Sequence, residues 1–152
     1  MLPMEKELIV KNIDETFSLA SKITTQLFVG AVVLLRGDLG AGKTTFVKGA
    51  AKELEIKELI QSPTFNILKC YFDAKIPMYH IDAYRLEDAF KDIGLEEYIE
   101  GDGITFIEWP DFIKEYINVP VLNVSIYNLD ETSRLVVISS TSDLYNKVFE
   151  VI

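Results

Sequence analysis

Residues 32–46 read VVLLRGDLGAGKTTF. Gly37, Gly42, Lys43 and Thr44 stand at the spacing G-x-x-x-x-G-K-[ST], with Gly40 as a further glycine inside the turn. These residue types suit one task, which is to hold a chain of phosphates. Glycine lets the backbone turn sharply and approach phosphate oxygens closely. The amides from Gly37 through Asp38, Leu39, Gly40, Ala41 and Gly42 can then converge as a nest of donors. A helix that starts near Lys43 adds the positive end of its dipole. The Lys43 ammonium reaches β- and γ-phosphates, the Thr44 hydroxyl ligates magnesium, and Thr45 can donate to the α-phosphate. A chance match in a glycine-rich turn would lack the flanking strand and helix, and both are expected here.

A phosphate loop of this kind needs an acid at the end of a neighbouring strand to hold the hydrated metal. Glu108 ends the apolar run ITFIE and is the favoured metal-side carboxylate. Asp82 ends MYHID, and for it a catalytic role and a capping or salt-bridged role are evenly matched. Thr64, in SPTF, lies where nucleotide switches place a hydroxyl that senses the γ-phosphate; taken alone it reads as an ordinary turn threonine. His80 reads as a satisfied core residue. Trp109 follows Glu108 directly and reads first as core, with a place at the site as the sharper option.

The elements that must position these residues follow from periodicity. Asp14 reads as an N-cap, with Phe17, Ala20, Ile23 and Leu27 at helical spacing and Gly30 closing the helix. AVVLL is a continuous apolar run, as in a strand buried on both faces. KTTFVKGAAKELEI reads as the helix after the loop. Pro63 breaks QSPTF by pushing Ser62 out of helical geometry. FNILKCYF and PMYHIDAY read as strands joined by DAK, residues 86–99 as a helix interrupted at Gly94, and GITFIEW as a strand. A short helix is expected from Asp111, a hairpin from VLNVSIYN and SRLVVISS around LDET, and a closing helix in DLYNKVFEVI. The pattern predicts one α/β domain over residues 1–152: three layers, α/β/α, with a mostly parallel sheet and antiparallel edge strands.

The chain has 152 residues, enough for one domain with a sizeable core. Its formal charge of −9 disfavours autonomous nucleic-acid binding. Acids concentrate between Glu87 and Asp102, including Glu96, Glu97 and Glu100; this is a solvated face or a docking surface for a basic protein. Cys70 is the single cysteine, so no disulfide framework forms within the chain, and a buried inert thiol is expected. The N-terminus has no secretory pattern and no apolar run reaches the length of a membrane span, which predicts a cytoplasmic protein without membrane attachment.

Together LLRGDLGAGKTTF, SPTF, YHIDAYRL and IEWPD, in this order and with these gaps, resemble the TsaE (YjeE) family, small bacterial ATPases of tRNA threonylcarbamoyladenosine formation. Glu15–Thr16 in the upstream helix fits the same pattern, so the resemblance runs to about Asp111. Ala83 stands where leucine is usual and Asp111 where glutamate is common. The resemblance implies a P-loop NTPase-like fold that binds ATP/ADP and Mg2+ and hydrolyses ATP. It implies a TsaB–TsaD-like protein complex as partner, with tRNA met only through that complex. Lys43 and Thr44 carry over as phosphate and magnesium residues, Thr64 as switch-like, Asp82 and Glu108 as the acidic pair, and Trp109 as a neighbour of the site.

The principal alternative is a small-molecule P-loop kinase. Such enzymes use several arginines, often on a lid, to stabilise the transferring group; here there are only Arg36, Arg85 and Arg134. A GTPase switch lacks its N-K-x-D base-reading element, and a scaffold without catalysis sits poorly with the intact Lys43, Thr44 and Glu108.

Overall fold

The computed structural model describes residues 3–61, 67–84 and 94–152. Within them a single seven-stranded sheet runs in the order β1-β7-β6-β2-β5-β4-β3. The strands are β1 (Met4–Val10), β2 (Val32–Gly37), β3 (Leu68–Tyr71), β4 (Met78–Asp82), β5 (Ile104–Glu108), β6 (Leu122–Asn128) and β7 (Arg134–Ser140). The helices are α1 (Ile13–Thr24), α2 (Lys43–Glu53), α3 (Glu96–Ile99) and α4 (Asn146–Val151). Pairings β4–β5, β5–β2 and β2–β6 are parallel, whereas β3–β4, β6–β7 and β7–β1 are antiparallel. The expected antiparallel edges are present. They are wider than a mostly parallel sheet implies, because hairpins flank the parallel centre on both sides.

Both faces of that centre are covered. Val33 and Leu35 of β2 join Phe106 of β5 beneath α1 and α2, with Ala20, Ile23, Phe46 and Ala50 from the helices. Val32, Leu34, Ile81 and Ile107 face the other way, against Leu95 and Ile99 of the α3 region and Ile113. The continuous apolar run at 32–35 is thus explained: every residue in it is buried. Ile113 belongs to a kinked 3-10 segment, Pro110–Tyr116, which replaces the short α-helix expected from Asp111.

Three local expectations change. Asn12, not Asp14, caps α1: its side chain accepts from the Glu15 amide at 2.9 Å, and the Glu15 carboxylate accepts in return from the Lys11 amide at 3.1 Å. The Asn12 contact satisfies an orphan donor of the first turn, and the Glu15 contact ties down the residue before the cap. The helix ends at Thr24, six residues before Gly30, which turns at φ +95° and donates to the Gly103 carbonyl. Cys70 is half-buried rather than buried, and partial desolvation pushes its thiol pKa up. Strand β1 was not foreseen; most of its side chains are exposed, Leu8 and Val10 alone reach the core, and main-chain pairing ties it to β7 along its length. Among the described residues no helix is long and apolar enough to cross a membrane. The break at Pro63, Thr64 and most of the segment expected as a helix over 86–99 lie outside the described residues.

Candidate functional site

The parallel strands deliver their C-terminal ends to one edge, where ligands of open α/β sheets bind. Asp82 and Glu108 are register partners across β4–β5, so both acids arrive at that edge side by side. The turn between β2 and α2 lies beside them. Gly37, Gly40 and Gly42 all take positive φ (+139°, +75° and +113°), a region that side chains rarely tolerate. A Cβ at Gly37 would also lie 1.9 Å from the Ile126 carbonyl oxygen, so only glycine fits. Gly42 starts α2 without a capping side chain, which leaves the first-turn amides without a side-chain acceptor.

These elements enclose a cleft of about 270 Å³ lined by Leu39, Gly40, Gly42, Lys43, Thr44, Thr45, Asp82, Glu108 and Trp109. A larger concavity of about 1010 Å³ opens near the far end of α2, but it mixes lysines with acids and has no phosphate-binding backbone. The chemistry converges in the smaller one. The Lys43 ammonium is buried and donates to the carbonyls of Gly37 at 3.0 Å and Asp38 at 2.9 Å. It also lies 4.3 Å from the Trp109 ring centroid. Burial lowers its pKa, while the fields of Glu108, Asp38 and Asp82 oppose that shift. The Thr44 hydroxyl donates to Glu108 Oε2 at 3.4 Å. Asp82 lines the cleft and at the same time caps the turn after β4, where its Oδ1 accepts from the Tyr84 amide at 3.1 Å. Both readings of Asp82 therefore have structural support. Thr64 lies outside the described residues.

Sequence reasoning missed the braces of this cleft. Asp38 Oδ2 accepts from the Asn128 amide at 3.1 Å, and Arg134 Nε donates to the Ala41 carbonyl at 3.2 Å, so the late hairpin braces the glycine loop. Arg36 binds Asp111 through two bonds of 3.1 Å and Asn123 through one of 2.7 Å, tying β2 to the segment after Glu108. That bridge holds the Asp111 carboxyl below its usual pKa. Trp109 is neither core nor fully exposed. It takes φ +56°, a strained value for a bulky residue, and its ring stacks near Tyr84, 5.0 Å between centroids. His80 is fully buried as expected, yet it is no plain core residue: its Nε2 lies 2.6 Å from Glu108 Oε2. Only its position two residues before Asp82, on the same face of β4, signals this in the sequence.

Fold and site together define a mixed α/β protein with a strand–glycine loop–helix cradle and paired carboxylates at the adjoining strand ends. The family model for "Threonylcarbamoyl adenosine biosynthesis protein TsaE" matches residues 10–136. The chain belongs to the TsaE family. It is 39% identical over 139 residues to the tRNA threonylcarbamoyladenosine biosynthesis protein TsaE of Bacillus subtilis strain 168, covering 91% of this chain and 88% of that one. It is 43% identical over 126 residues to the TsaE of a Nostoc species, covering 80% and 77%. The crystal structure of Bacillus subtilis YdiB superposes with a TM-score of 0.86 at 32% identity, covering 99% of this chain and 95% of that one.

Proposed function

We propose that this chain is the ATP-binding and hydrolysing component of the bacterial tRNA threonylcarbamoyladenosine machinery. In this reading it supports turnover of a TsaB–TsaD-like complex in the cytoplasm and meets tRNA only through that complex. Family membership and the names of its relatives support the pathway. The observation that carries the chemistry is the meeting of Lys43, Thr44 and Glu108 at one cleft whose floor is a glycine loop.

The donor set fits magnesium. That ion prefers hard oxygens and is bound by one or two carboxylates together with substrate phosphates. Thr44 and Glu108 supply a hydroxyl and a carboxylate in contact with each other. Bound there, magnesium would offset charge on the β- and γ-phosphates. The chain's own groups do the rest. The loop amides and the first turn of α2 hold the phosphates. Lys43 exchanges its two carbonyl partners for phosphate oxygens, a stronger charge-assisted contact. In this reading Asp82, the register partner of Glu108, orients an attacking water.

The arginines distinguish this reading from a small-molecule kinase. Arg36 is engaged with Asp111 and Asn123, and Arg134 with the carbonyls of Ala41, Asp130 and Ser133. Arg85 lies outside the described residues. Both described arginines serve the scaffold, which supports slow hydrolysis by the chain alone and stimulation by a partner. Calorimetry with ATP, ADP and GTP, with and without magnesium, tests the binding step. Adenine-nucleotide binding is expected; no binding of any of the three would refute the reading. A coupled assay then separates the alternatives, since a kinase releases ADP only when an acceptor molecule is supplied.

A further inference from the structure

Both hydrogen bonds of the Glu108 carboxylate to described residues land on Oε2: one from Thr44 and one from His80. His80 sits on β4 in register with Phe106, and Glu108 lies two residues further along β5 on the same face. The ring is therefore one layer below the cleft, directly under the acid, and has no exposure to solvent. Its other nitrogen, Nδ1, is buried and has no hydrogen-bond partner among the described residues.

That asymmetry fixes the tautomer. A carboxylate only accepts, so Nε2 must carry a proton to bond it. A proton on Nδ1 instead would leave a buried donor unpaired and give Nε2 nothing to donate to the carboxylate. The geometry therefore places an Nε2–H group that donates to Glu108. We propose that His80 is a positioning residue, which holds the Glu108 carboxylate with Oε2 turned toward Thr44 so that the acid is set in advance for the magnesium-bearing triphosphate. The proposal rests on the ATPase reading above. Hydrogen-bonded partners of metal ligands commonly alter metal affinity or activity by about 10–100-fold when removed.

The chain has a single histidine, so one imidazole spin system reports this contact in the unaltered protein. Nitrogen-detected NMR should show a proton on Nε2. The signal should move when magnesium is added to the ADP complex, and it should be displaced in Glu108→Ala. An Nδ1–H tautomer, or a signal indifferent to magnesium in the ADP complex, would overturn the proposal without needing any His80 variant to fold. Substitution adds a second reading. His80→Leu removes the donor, whereas His80→Gln keeps an N–H at similar reach. In His80→Leu, ADP affinity without magnesium should stay within about twofold of wild type, while the magnesium needed for half-saturation rises about 10–100-fold. The ATP KM should change little and kcat should fall, with His80→Gln recovering most of both losses. Equal magnesium dependence in all three proteins refutes the positioning role while leaving the ATPase reading intact. Failure of the wild-type protein to bind ADP at all would instead remove the reading on which it rests.

Discussion

Lys43 carries the most direct expectation at the scale of single residues. Charge-assisted hydrogen bonds contribute about 1.5–3 kcal/mol each, so Lys43→Ala should weaken ADP binding by roughly 10–100-fold with a native thermal melt. Burial lowers the Lys43 pKa from 10.5. The ammonium is therefore lost at a pH below 10.5, and wild-type affinity should fall as pH rises through that lowered pKa. Bound phosphate restores the charge, so binding on the alkaline side should take up a proton, seen as a buffer-dependent enthalpy. Lys43→Ala should show neither effect. The two acids separate by a different measurement. Glu108→Ala should slow hydrolysis by roughly 10²-fold or more while ADP binding stays largely intact. If Asp82→Ala turns over normally in the full assembly, its role is the capped turn at Tyr84 rather than chemistry. The glycine turn between β2 and α2 was legible because its positive φ angles at Gly37, Gly40 and Gly42 call for glycine. His80 was not, because a buried histidine in an apolar strand looks the same with or without an acid above it.

Among the elements, α1 packs closely against α2, the helix that follows the glycine loop. Gly49 lies at that crossing, where an added Cβ would come within 2.4 Å of the Phe17 carbonyl oxygen and 2.9 Å of Ala20 Cβ. Helix propensity alone would make Gly49→Ala stabilising by up to about 1 kcal/mol. The close approach reverses the sign, and a net destabilisation of about 1–3 kcal/mol is expected, read as a fall in melting temperature. A raised melting temperature would show that the helices separate without cost. Strands β2 and β5 were readable from their apolar runs, and the β6–β7 hairpin from its alternation and turn. Strand β1 was not readable, since an edge strand held by main-chain bonds leaves little trace in MEKELIV. Nor were the braces Asp38–Asn128 and Arg134–Ala41, which join residues about 90 positions apart and use main-chain atoms. The cap of α1 was misplaced by two residues because Asn12 and Asp14 are both good capping types.

For the whole molecule, the acids before β5 form one exposed candidate docking face. Glu96, Glu97, Glu100 and Asp102 are exposed, but they precede β5, and Tyr98 accepts from the Thr105 hydroxyl at its start. Glu108 ends the same strand, roughly 13 Å away at ~3.3 Å per residue. The engaged arginines remain the stronger reason to expect help in trans, which in P-loop enzymes raises hydrolysis by roughly 10³–10⁵-fold. The most direct measurement is the steady-state rate of ATP hydrolysis by this chain alone, then with the TsaB–TsaD pair, then with tRNA added. The account predicts slow turnover alone, a rise of at least about 10-fold with the pair, and loss of the rise in Glu108→Ala. Fast hydrolysis by the isolated chain, or a rate indifferent to the pair and to tRNA, would contradict it.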